Sequence, residues 1–105
     1  MDLTHLQAQL GAFADARGWQ PFHTPKNLST ALMVEAAELA EIFQWMTPEE
    51  SAHAADDPAT RQHIGEEMAD VMLYLVQIAM QTGIDLEAAV QDKLVKNAVK
   101  YPAPT

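Results

Sequence analysis

Apolar residues recur along this chain with a helical period, and four segments carry it. Leu3, Leu6, Leu10 and Phe13 form one stripe, which predicts a helix from about Leu3 to Ala16, stopped by Gly18. The next stretch, Trp19-Gln20-Pro21-Phe22-His23-Thr24-Pro25, contains two prolines and is expected to be a non-helical loop. A second helix is expected to begin near Asn27 or Ser29, either of which can cap it, and to run to Trp45 or Met46. Thr47-Pro48-Glu49-Glu50 reads as the cap and first turn of a short helical piece. After Asp56-Asp57-Pro58, a third long helix is expected from about Ala59 to Thr82, with Gly83 as its stop. Asp85 can cap a fourth, from Leu86 to about Val99, beyond which Pro102 and Pro104 bar any continuation.

No stretch alternates as a strand would, and there is no repeat or low-complexity segment. The third helix is apolar nearly all round from Met68 to Met80, which makes it the expected centre of the fold. Met33, Met68, Met72 and Met80 read as core filler. The expected class is all-α: a four-helix-bundle-like fold of largely antiparallel neighbours, with residues 1–105 forming one domain.

Composition adds an assembly to this picture. A 105-residue domain buries only about 60–65% of the surface its unfolded chain exposes. Yet 49% of the residues are hydrophobic, so part of the apparent core is expected to be an interface between subunits. The absence of cysteine excludes disulfides, thiolate metal sites and thiol catalysis, and fits a reducing cytoplasm. The N-terminal residues show no basic-then-apolar signal segment, and Val71 to Met80 is too short to span a bilayer, so no membrane association is expected.

The net charge of −9 argues against nucleic acid as a partner. Its distribution is more informative. From Glu35 to Asp70 there are ten acids and one base, Arg61, whereas the rest of the chain balances five acids with five bases. Within that segment Glu35 and Glu38 stand three apart on the second helix, and Glu67 and Asp70 three apart on the third. Like charges at this spacing repel, and both pairs lie in the most apolar helices. Acids converging at a bundle interior would titrate upward unless a divalent cation neutralised them, and carboxylate oxygens select hard ions. Solvated helix faces are the plainer alternative, and spacing alone leaves both open. A ferritin-like di-iron site needs Glu-x-x-His on each of two helices, and only Glu50-Ser51-Ala52-His53 has that form.

Four blocks in order then carry a resemblance. They are W-Q-P-F-H-T-P-K-N-L, E-A-A-E-L-A-E-I-F-Q-W, E-E-M-A-D-V-M-L-Y-L and K-L-V-K-N-A-V-K-Y-P. Together the sequence from about Phe13 to Pro102 resembles the MazG-like all-alpha nucleoside triphosphate pyrophosphohydrolases, most of all their dCTP pyrophosphatase branch. The resemblance implies magnesium-dependent cleavage of a (d)NTP, dCTP first among pyrimidine deoxynucleotides, to the monophosphate and pyrophosphate. It implies a dimer or a dimer of dimers, with sites lined by more than one subunit, and a role in nucleotide-pool sanitation. An inactive oligomerisation or nucleotide-binding regulatory module on the same scaffold is the alternative.

Carried over by position, Glu35, Glu38, Glu67 and Asp70 match the family's metal-binding acids, for Mg2+ with Mn2+ as a substitute. Two departures stand out. Val34 replaces the first Glu of the doublet that opens the motif in many members, and Glu41 creates a second Glu-x-x-Glu register with Glu38. Glu38, and after it Glu41, are the candidate general bases. Trp19, Phe22, His23 and Asn27 are expected to close over the base, by stacking and edge hydrogen bonds. Lys93 and Asn97, followed by Tyr101, match positions that line the substrate site, although lysines there also complement a helix C-terminus. Tyr74 reads as a pocket residue, Trp45 as core or pocket wall, and His5, His53 and His63 as surface residues.

Overall fold

The computed structural model describes residues 1–104. Helix α1 spans Leu3–Ala16; the Asp2 side chain accepts from the His5 backbone N–H at 3.0 Å and so caps it. Gly18, at φ 66°, makes the turn out of the helix, a conformation that costs a side-chain-bearing residue more. The Trp19–Pro25 stretch departs from the expected loop. Gln20–Phe22 is a 3-10 turn with Pro21 in its first positions, where a proline's missing N–H is not needed. Pro25 likewise opens α2 (Pro25–Phe43) rather than blocking it, with Thr24 as the cap. The expected caps Asn27 and Ser29 lie inside the helix; the Asn27 N–H donates to Thr24 Oγ1 at 3.2 Å.

Helix α3 (Pro48–Ala52) opens on a capping box. Thr47 accepts from the Glu50 N–H at 3.1 Å, and Glu50 accepts from the Thr47 N–H at 2.9 Å. A 3-10 turn at Ala54–Asp56 leads to α4 (Pro58–Thr82), which Asp57 caps through Thr60. Gly83, at φ 69°, closes α4 in the left-handed conformation. Asp85 then caps α5 (Leu86–Lys100).

The fold is all-helical among the described residues, with five α-helices where the pattern predicted four and a short turn. Helix α4 is central, as its all-round apolar sequence predicted. It packs along α2 over most of its length and carries α1 on another side. The fully enclosed core is small: Ala14, Leu28, Val76 and Ala79.

Helix α5 corrects the bundle expectation. It has no buried residue and packs along no other helix, so Val90, Leu94, Val95 and Val99 face outward. Met33 and Met68, expected in the core, are also exposed, as is Phe13 of the α1 stripe. Two measures express the same openness. The radius of gyration is 16.8 Å, against about 13 Å for a compact chain of this length. The accessible surface is 7810 Å², against about 5,800 Å² for a folded monomer of this mass. Among the described residues no helix is long and apolar enough to cross a membrane.

Candidate active site

Packing of α2 on α4 turns two sequence patterns into one constellation. Each Glu-x-x-acid pair occupies one turn of its helix, and the turns face each other. One carboxylate oxygen from each of Glu35, Glu38 and Glu67 lies within 4.8 Å of the others. Glu67 is 8% exposed, and its Oε2 has no hydrogen-bond partner; neither does Glu35 Oε2. Leaving buried carboxylate oxygens unpaired is costly, so the site must hold a shared proton or a cation. Glu35 is the acid that favours the proton, its pKa raised to about 7. The hydrogen bond it shares with Glu67 contributes most, followed by burial, then Glu38 and the charge of Asp70. Clustered hard oxygens with orphaned lone pairs suit an oxygen-seeking divalent ion.

Two cavities flank the acids. One, of ≈ 460 Å³, is walled by Leu10, Phe13, Trp19, His23, Asp70 and Tyr74, among others. Its aromatic wall is held edge to face: Phe13 and Trp19 have centroids 5.6 Å apart, and Trp19 and His23 6.2 Å. The Arg17 guanidinium lies 3.3 Å over the Phe13 ring and donates to the Phe13 carbonyl at 3.1 Å. The other cavity, of ≈ 490 Å³, is lined by Glu38, Glu41, Ile42, Gln44, Met46, Thr60 and His63. Along α4, Thr60, His63, Glu67, Asp70 and Tyr74 follow at helical spacing and make one continuous face about 21 Å long.

The structure thus brings Trp19, His23, Asp70 and Tyr74 to one cavity and Glu38 and Glu41 to the other, with Glu35 and Glu67 in the cluster that shares Glu38. Other candidate residues stand elsewhere. Phe22 is exposed, and its carbonyl accepts from Asn27 Nδ2 at 3.1 Å, which commits Asn27 to bracing the loop. Trp45 is 89% exposed and is neither core nor wall in the single chain. Lys93, Asn97 and Tyr101 ride on the detached α5 and line neither cavity; the Lys100 Nζ sits 5.2 Å over the Tyr101 ring.

Sequence reasoning passed over three participants. Phe13 joins the aromatic wall, Arg17 braces it from over the Phe13 ring, and their distance from Tyr74 along the sequence conceals this. His63 is at the surface as expected, but its Nε2 stands 3.5 Å from Glu67 Oε1. The four-residue spacing of His63 and Glu67 on one helix was the available signal.

Paired acids on facing helices of an all-α fold, beside an aromatic cavity, define a class before any name is attached. The family model described as MazG-like matches residues 30–105, and the chain belongs to the MazG-like family. Its curated relatives include dCTP pyrophosphatase 1 of Homo sapiens, 42% identical over 102 residues, which are 97% of this chain and 58% of the relative. The Mus musculus protein of the same name is 42% identical over 101 residues, 96% of this chain and 58% of its own length. The chain therefore spans little more than half of those relatives. The crystal structure of a pyrophosphatase from Archaeoglobus fulgidus superposes with a TM-score of 0.90 at 38% identity, covering 98% of this chain and 94% of that one.

Proposed function

We propose that this protein hydrolyses nucleoside triphosphates, with dCTP or a related pyrimidine deoxynucleotide preferred, to the monophosphate and pyrophosphate. The observation that carries the reading is the convergence of Glu35, Glu38 and Glu67, with orphaned buried oxygens, between an aromatic cavity and a polar one. The names of its relatives, dCTP pyrophosphatase and pyrophosphatase, support the choice of reaction.

Glu35, Glu38, Glu67 and Asp70 would hold Mg2+, or Mn2+ in its place. The ion's chemistry is to offset phosphate charge and to acidify a water. The rest of the work falls to the chain. Trp19 and His23 offer the base a stacking face and an edge donor, and Tyr74 closes the floor of that cavity. Asp70, in the same cavity wall, would put the acids at the phosphate end of a nucleoside bound there. Glu38 is the proposed base that takes the proton of the attacking water; Glu41, one turn on and in the same cavity, is the second candidate. A chain of net charge −9 repels a triphosphate, so binding in this scheme depends on the ion.

The chain surface exceeds that of a compact monomer by about 2,000 Å², the scale of a stable interface. We take the assembly to be a dimer or a dimer of dimers of a single domain over residues 1–105. In it the apolar face of α5 is covered, and Lys93, Asn97 and Tyr101 are carried toward a neighbour's site. No nucleic acid or membrane partner is proposed, and the site of action is the cytoplasm. The test is a product assay with dCTP and Mg2+ on the purified assembly. Equal amounts of monophosphate and pyrophosphate support the reading. Nucleotide binding without turnover would favour the inactive regulatory module.

A further inference from the structure

Glu67 is the most enclosed acid of the cluster, and one of its oxygens has no partner at all. Besides the proton of Glu35, the other oxygen, Oε1, has His63 Nε2 as a neighbour able to donate, one turn earlier on α4 and 3.5 Å away. No other ion pair reaches the cluster from the described residues. His63 also shares the wall of the ≈ 490 Å³ cavity with Glu38 and Glu41, so it borders the acids from a cavity other than the aromatic one. Once a cation has displaced the Glu35 proton, the His63 ring is the neighbouring donor left to orient the Glu67 carboxylate.

We infer that His63 is a positioning residue for the metal centre. Its Nε2–H engages Glu67 Oε1, and this leaves Oε2 directed among the remaining acids. The inference rests on the metal reading of the acid cluster given above. It does not need His63 to change charge, because Nε2–H is a donor in the protonated ring and in the matching neutral tautomer. A carboxylate buried among like charges has several rotamers of similar energy, and one fixed hydrogen bond selects among them. Such outer partners of metal ligands typically change metal affinity about 10–100-fold when removed. Hydrogen bonds of this kind are often long before a site is loaded and tighten on loading, in keeping with the 3.5 Å seen here.

The experiment titrates Mn2+ into nucleotide-free protein by calorimetry and by loss of the free-ion paramagnetic signal. It compares wild type, His63→Ala and His63→Gln. The His63 side chain is 56% exposed, so both variants should melt like wild type, which circular dichroism checks. A glutamine amide can place an N–H where Nε2 stands and carries no charge. Mn2+ binding about 10–100-fold weaker in His63→Ala, with His63→Gln within about threefold of wild type, is the expected result. Wild-type affinity in His63→Ala overturns the inference. Equal weakening in both variants also overturns it, because an N–H donor restored at that place would then not restore binding. If wild type itself binds no Mn2+, the metal reading of the cluster fails and the inference goes with it, an outcome distinct from the other two.

Discussion

Loading the site with a divalent ion should expel the proton that Glu35 holds. The metal-free carboxyl has a pKa of about 7, raised first by its hydrogen bond with Glu67, then by burial and the neighbouring acids. A bound cation needs Glu35 ionised, so binding and deprotonation are linked. With that pKa, an ion displaces about 0.9 proton at pH 6, about 0.5 at pH 7 and about 0.1 at pH 8. Apparent affinity should therefore fall about tenfold from pH 8 to pH 6. The assay is Mn2+ calorimetry in two buffers of different ionisation enthalpy at each pH, with Glu35→Gln as the control. The same shift acts on stability. Because the folded pKa lies above the unfolded value near 4.5, its contribution is full below about pH 4.5 and is lost as pH rises through about 7. Metal-free protein should therefore lose thermal stability over that window, and added ion should restore it at the upper end. Proton release that is absent, or unchanged between pH 6 and pH 8, would remove the shared-proton picture of Glu35.

Trp19→Ala should raise KM for the nucleotide by about 5–100-fold, on the scale of one base–aromatic stack, while Mn2+ affinity stays unchanged. Steady-state kinetics beside calorimetry separates the two. Leu28→Ala, at a core position only 2% exposed, should cost about 2–5 kcal/mol in denaturant unfolding, a large share of what so small a core supplies. Leu94→Glu, on the exposed apolar face of α5, should lower the assembly mass in light scattering. Mass unchanged from wild type would mean that this face is not the covered one.

Much of the fold was legible because helix ends are written in single residues. Asp57, Gly83 and Asp85 bound α4 and α5 within a residue or two of expectation, and the α1 limits match. Pro21 and Pro25 misled for one physical reason. A proline breaks a helix interior, but at the first helical position it removes an N–H that has no partner anyway. The i, i+3 acid pairs in apolar helices made a metal cluster one of two open readings, and the packing of α2 on α4 gathers Glu35, Glu38 and Glu67, with Asp70 outside that group. The state of α5 was not legible. Periodicity marks an apolar face but carries no sign of whether the same chain or another copy covers it, so Met33 and Met68 read as core although both are exposed. His63 is a surface residue as expected, and only its i, i+4 relation to Glu67 links it to the acids.

The most direct measurement follows products from dCTP, beside a panel of other (d)NTPs, with Mg2+, with EDTA and with Glu38→Ala. Monophosphate and pyrophosphate in equal amounts, lost in both controls, is the expected result, and the ranking across the panel names the preferred base. Orthophosphate as the product, or no product from any nucleotide while the folded protein binds the ion, would contradict it.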